Sequence, residues 1–364
     1  MVRWRSGTVT ALGRAWNGAR ELTVELHRRT PDDPETVRAL AYTELIGTPA
    51  VGDRVLLNTN ALKAGLGTGG YAHVIALPDA LPEDRTTPGH VVKARYTPMQ
   101  TMVLAADEEA SPHRDALATA DDIGGMPVVT ADLHSALPAI LAGVHAGGPN
   151  LRVAYVMTDG GALPAWFSRT LDGLAPLLAG TVTTGQTFGG DLEATNVHTG
   201  LLAARHALRA DVAIVTQGPG NLGTGTTWGF SGTSTGEAVN ATAALGGRPV
   251  GALRLSDADA RDRHLGISHH SLTAYGRVAL APADLVLPGE LPKDLEDRVR
   301  EQLPALGRHR VVRVASEGLD AALRALPVGL STMGRGLDAD HAYFLTSAAA
   351  GRYAAGLATG GEAR

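Results

Sequence analysis

The stretch VAIVTQGPGNLGTGTTWGFSGTSTGEAVNATAAL, residues 212–245, decides the fold. Val212 to Val215 are apolar without a polar alternate, the pattern of a strand covered on both faces. They empty into segment 216–236, which holds seven glycines, six threonines and two serines. Glu237-Ala-Val-Asn-Ala-Thr-Ala-Ala-Leu245 then reads as a helix. Strand, flexible loop and helix make the repeating unit of a parallel sheet, and such sheets take ligands at the carboxyl ends of their strands. Glycines let a backbone approach an anion closely, and a helix start adds a positive dipole end. The loop is therefore expected to hold a phosphate or carboxylate through Gly218, Gly220, Asn221, Gly223, Thr224, Gly225, Thr226 and Thr227.

The same alternation extends outward from this unit. Strand-like runs fall at 91–96, 101–106, 127–131, 151–157, 181–184, 212–216, 250–255 and 310–314. Helical patterns fall at 133–145, 165–178, 196–208, 237–245 and 294–306, with a closing helix at 341–355. Residues 1–77 differ, with five short runs at 6–12, 21–26, 37–42, 55–58 and 71–77 separated by turn signals. They predict a small antiparallel barrel or sandwich. Segment 78–88, with three prolines and no apolar period, reads as a bridge. The expected fold class is α/β: a small β-barrel-like domain over residues 1–80, then a domain over 89–364 whose mostly parallel sheet is covered by helices.

Composition narrows the function. The 364 residues carry a net charge of −5, with lysine only at 63, 93 and 293. No basic stripe appears, which argues against a nucleic-acid partner. The absence of cysteine removes disulfides, thiolate metal sites and cysteine nucleophiles. No apolar run approaches the roughly 20 residues needed to span a bilayer, and the first residues lack the apolar core of a secretory signal. A cytoplasmic protein without a membrane partner is expected.

Polar clusters follow several predicted strands: Asp132-Leu-His-Ser-Ala-Leu-Pro138, Thr158-Asp-Gly-Gly-Ala-Leu-Pro164 and segment 183–198. As plain strand-to-helix turns, they would use Asp132, Asp159 and Thr195 as N-caps. As a site, they offer His134, Asp159, Asp191, Glu193 and His198 for acid–base work. Asp191 and Glu193 fall on one side of an extended chain with His198 about a turn further on, a loose metal-binding pattern. Segment 261–271, RDRHLGISHHS, gathers three of the 13 histidines. Adjacent histidines on a helix diverge, so one of the pair, His269, is expected to act as acid or base while His270 faces elsewhere.

Known motifs fit poorly. Gly232-Thr-Ser-Thr-Gly236 matches G-x-S-x-G, but a long loop separates it from the strand that a nucleophile elbow requires. No Walker lysine follows the glycines, and Gly218-Pro-Gly-Asn-Leu-Gly223 matches G-x-G-x-x-G with proline in its tight turn and no acidic residue at the next strand end.

LNTNALKAGLGTGGYAHVI at 57–75, DLHSALP at 132–138, TDGGALP at 158–164 and the glycine–threonine loop at 216–236 resemble the bacterial family called domain of unknown function 3866. The resemblance implies the two-part layout and carries no activity or catalytic residues with it. The expectation from the residues is a hydrolase or group transferase acting on an anionic metabolite, with cofactor and metal left open. A ligand-binding regulatory protein and a structural or assembly protein are the alternatives. Segment 66–71, LGTGGY, reads as a hairpin-like edge that would be covered by the second domain or by another copy, so a homodimer is expected.

Overall fold

The computed structural model describes residues 2–27, 30–67, 69–84 and 86–360. The chain divides into two compact units, Met1–Pro88 with Ala94–Met102, and Gly89–Lys93 with Val103–Arg364.

In the first unit β1 (Trp4–Trp16), β2 (Ala19–Leu26), β3 (Thr36–Tyr42), β4 (Arg54–Asn58) and β5 (Ala72–Ala76) close into a barrel in the order β1-β2-β3-β5-β4. Period-two alternation builds it: Val9, Leu22, Val24, Val37, Ala39, Val55, Leu57 and Val74 are buried together. The barrel departs from a wholly antiparallel one in a single pair. β4 closes onto β1, so β5 returns beside β3 in parallel, with Ala39 opposite Ala72 and Leu40 opposite His73. This is the connectivity of an OB-type barrel, a shape that by itself assigns no function.

The second unit is built on β6 (Pro127–Thr130), β7 (Val153–Thr158), β8 (Gly180–Thr183), β9 (Leu192–Glu193), β10 (Val212–Gln217), β11 (Arg248–Ala252), β12 (Asp284–Pro288) and β13 (Arg310–Val314). They form one sheet in the order β9-β8-β7-β10-β6-β11-β12-β13, with every neighbouring pair parallel. Both faces are covered, as the apolar strands demand. Helices Leu137–Gly147 and His341–Ala358 lie over Val129, Tyr155, Ile214 and Val250. Helices Val197–Leu202 and Ser234–Ala244 lie over Val128, Val156, Ala213 and Val215. The first two helices meet through glycines: a methyl at Gly143 would overlap the carbonyl of Ala348, and one at Gly351 the carbonyl of Ile140.

The strand order leaves two divergences. The chain leaves β7 toward β8 but leaves neighbouring β10 toward β11. It leaves β6 toward β7 but leaves neighbouring β11 toward β12. Connections that part in this way open crevices at the carboxyl ends of the strands.

Several sequence expectations are corrected. Val91–Lys93 and Thr101–Val103 are short strands outside the eight-stranded sheet. Positive φ at Ala94 and Tyr96 ends the first of them early. β12 was not anticipated, because only three apolar residues stand between Asp284 and Pro288. The helix after the glycine–threonine loop begins at Ser234 rather than Glu237, behind a tight turn at Ser231–Thr233. No described helix is long and apolar enough to cross a membrane.

Candidate functional site

The β7/β10 crevice is shaped by Gln217, the last residue of β10. Its Nε2 donates to the carbonyl of Asp132 at 2.7 Å and to Asn221 Oδ1 at 2.9 Å. Ser231 Oγ donates to the same Asn221 oxygen at 3.0 Å. A cavity of about 300 Å³ opens here, lined by His134, Ser135, Thr170, Gln217, Gly220 and Asn221. Among the described residues, three buried side-chain atoms at or just past the ends of β6, β7 and β10 lack a hydrogen-bond partner: Asp132 Oδ2, Thr158 Oγ1 and Gln217 Oε1. Buried polar atoms are nearly always paired, so three orphans on adjacent strand ends mark a place where a ligand's donors would be used.

His134 stands at the wall of that cavity. Its Nδ1 is 3.0 Å from Tyr155 Oη and its Nε2 2.7 Å from Ser168 Oγ. Burial lowers its pKa to about 4, so the ring is neutral near pH 7. To act as a base it would have to exchange one of these two partners for a substrate.

The β6/β11 crevice holds a denser network. Beyond β11 the chain forms a small antiparallel pair, Leu255–Ser256 with Gly266–Ile267, and enters the short helix His269–Thr273 capped by Ser268. Arg254 is buried, 3.5 Å from Asp259 and 4.0 Å from Asp132 Oδ2. Asp259 is forked by Arg261 at 2.9 Å, and Arg335 joins it to Asp340. Hydrogen bonds from Arg261 hold the Asp259 carboxyl far below the usual carboxylate range. Asp132 does not cap the turn that follows it, since His134–Ala136 has no side-chain cap. Its carboxylate instead faces His270 Nδ1 at 3.5 Å.

The histidine-rich segment corrects the expectation that its adjacent rings diverge. One nitrogen from each of His264, His269 and His270 lies within 4.8 Å of the others. The divergence rule holds inside a helix, whereas these two residues open one, and the preceding turn brings His264 back over them. Phe230 lies against His270, so the loop and the cluster share a wall.

The other sequence candidates go elsewhere. Asp159 is exposed, and its Oδ2 accepts from the amide of Gln186 at 2.9 Å, fixing a turn. Asp191 is exposed and accepts from the amide of Thr181 at 2.7 Å. Glu193 turns inward, accepting from Thr183 Oγ1 at 2.8 Å beside the fully buried Lys93 Nζ at 3.3 Å. Burial raises its pKa. His198 is exposed on its helix. Asp191, Glu193 and His198 therefore form no metal cluster among the described residues, because Glu193 is spent on Lys93.

The glycine–threonine loop closes largely on itself. The amide of Thr224 donates to Gly229 O at 2.7 Å, that of Ser231 to Leu222 O at 3.0 Å, and that of Leu222 to Ser231 Oγ at 3.0 Å. Positive φ occurs at Gly220 and Gly225 but not at Gly223, which bridges to Phe230. Gly225, Thr226 and Thr227 are exposed, and Gly218 and Gly220 line the cavity. Ser234 Oγ, the serine of the G-x-S-x-G match, donates to the carbonyl of Ser231.

Sequence reasoning missed Arg254, Gln217, His264 and His270 as site residues. The histidine run was the local signal for His264 and His270, and Gln217 opens the glycine–threonine loop; Arg254 had none.

No curated protein matches the chain. The family model described as protein of unknown function (DUF3866) matches residues 38–351, most of the chain and both of its units, and the protein belongs to that family.

Proposed function

We propose that the protein is a small-molecule enzyme, a hydrolase or group transferase, working at the carboxyl edge of its parallel sheet. The observation that carries this reading is the buried, unpartnered Gln217 Oε1 on the wall of the cavity. An amide oxygen only accepts, so the substrate brings a hydroxyl or amine donor as well as the anionic group expected from the loop. The anionic group is assigned to the stretch 218–221, the part of the loop that lines the cavity; the tip at 224–227 uses much of its own hydrogen-bonding capacity.

A thermal-shift series with phosphate- and carboxylate-bearing metabolites tests the reading. Stabilising compounds should lose their effect on Gln217→Leu and Gly220→Val, and incubation should release a new product detectable by mass spectrometry. Binding without turnover would favour the regulatory alternative. No stabilising compound, or shifts indifferent to both variants, would refute the site.

The reading also includes a cytoplasmic homodimer that binds no nucleic acid. Support for the dimer comes from Trp4, Leu12, Val51 and Leu66, all exposed apolar side chains of the barrel unit. Light scattering at micromolar concentration checks it, and a monomer there would count against it.

A further inference from the structure

The β6/β11 crevice gathers more ligand chemistry than its ion pairs use. We propose that His264, His269 and His270 form a three-histidine site for a borderline transition metal such as zinc, with Ser268 and Asp132 orienting two of the rings. The fourth coordination position is left open.

Geometry is the first support. The three ring centroids are 4.8, 5.0 and 4.4 Å apart, and one nitrogen from each ring lies within 4.8 Å of the others. Two nitrogens held tetrahedrally at ~2.0–2.1 Å from zinc stand about 3.3 Å apart. The three nitrogens therefore sit near, and somewhat outside, that spacing, so closing on a metal requires the rings to draw together.

Orientation is the second. His264 Nδ1 lies 2.7 Å from Ser268 Oγ, which leaves Nε2 for a metal. His270 Nδ1 faces Asp132 Oδ2 at 3.5 Å, which likewise leaves its Nε2, and Phe230 stacks on the ring to fix its plane. A histidine ligand whose second nitrogen meets a carboxylate or hydroxyl is the usual arrangement around bound metals.

The third support is the state of the Asp132 carboxylate. Asp132 Oδ2 is buried without a hydrogen-bond partner in a residue only 3% exposed. Metal at His270 Nε2 places the ring proton on Nδ1, where Asp132 accepts it. The 3.4 Å approach of Arg254 to that same nitrogen is then given up.

Charge decides what completes the site. Asp132, Asp259 and Asp340 balance Arg254, Arg261 and Arg335, so a divalent ion adds a net positive charge. The open position therefore favours an anionic ligand, such as hydroxide or a substrate carboxylate.

Titrating the metal-free full-length protein with Co²⁺ tests the proposal without any substrate, so its outcome is separate from that of the proposed enzyme activity. Wild type should develop the visible absorption of tetrahedral cobalt with one equivalent and lose it when Zn²⁺ is added. His269→Ala should abolish the band, while Asp132→Asn should weaken metal binding about 10–100-fold. His27→Ala, on the barrel, should change nothing. Circular dichroism establishes that each variant is folded. Folded wild type that gives no tetrahedral cobalt band would overturn the proposal, as would a band that survives in folded His269→Ala.

Discussion

Phe230 lies flat on His270, with ring centroids 3.9 Å apart and planes 1° from parallel. Phe230 ends the glycine–threonine loop, and His270 belongs to a helix reached only after β11 has been laid into the sheet. The loop and the histidine cluster are thus one construction, in which an aromatic face from the first sets the plane of a ring in the second. Phe230 is 6% exposed, and a buried phenylalanine cut to alanine costs about 3–5 kcal/mol. Phe230→Ala is expected toward the low end of that range in urea unfolding. A loss below about 1 kcal/mol, outside the span of such core truncations, would mean that the stack is incidental.

The crossing of helices Leu137–Gly147 and His341–Ala358 depends on the missing side chains of Gly143 and Gly351. Each is set against a carbonyl of the other helix, so even a methyl group must push the backbones apart. Gly143→Ala should gain the helix propensity of alanine yet still destabilise by about 1–3 kcal/mol, the range for overpacked cores. A stabilised Gly143→Ala protein would show that the helices can separate freely.

Lys93 is fully buried, donating to the carbonyls of Thr187 and Ala194 at 2.9 Å each while facing Glu193. Removing one partner of a buried pair strands the other, at a cost of about 3–5 kcal/mol. Lys93→Met should therefore be far more damaging than a surface lysine change. Adding Glu193→Gln should restore part of the loss, because a neutral amide is easier to bury. Equal melting temperatures for Lys93→Met and the double variant would contradict this coupling.

His134 predicts an acid-side loss of stability. Its folded pKa is lowered by burial to about 4, against an ordinary value of 6.5. Above pH 6.5 the ring is neutral in both states and costs nothing. As pH falls from 6.5 toward 4, the unfolded chain takes up a proton that the folded chain refuses, so stability declines through that window. His134→Gln should flatten the decline relative to wild type in denaturant midpoints measured across pH 4–7. An unchanged slope would remove His134 from the explanation.

Much of the architecture is legible in the order of residues. Alternation in Glu21-Leu-Thr-Val-Glu-Leu26 and Val37-Arg-Ala-Leu-Ala-Tyr42 announces half-buried strands, and Val212-Ala-Ile-Val215 announces one buried on both sides. These patterns are local, because a strand's period and a helix's period are properties of short windows. The glycine–threonine loop was legible as a loop, and segment 261–271 as histidine-rich, for the same reason. A whole strand went unread where the window was too short, at Asp284–Pro288.

What only the tertiary structure decided is who meets whom. Asp132 looked like a helix cap, and nothing within a few residues of it reveals that its carboxylate points at Arg254 and His270. Glu193 looked like half of a surface metal pair until the fold brought Lys93 beneath it. The crevices themselves arise from strand order, which places β10 between β6 and β7 and β11 on the far side of β6. Pairing order depends on how two faces of apolar side chains are covered at once, a global packing condition that no local period encodes.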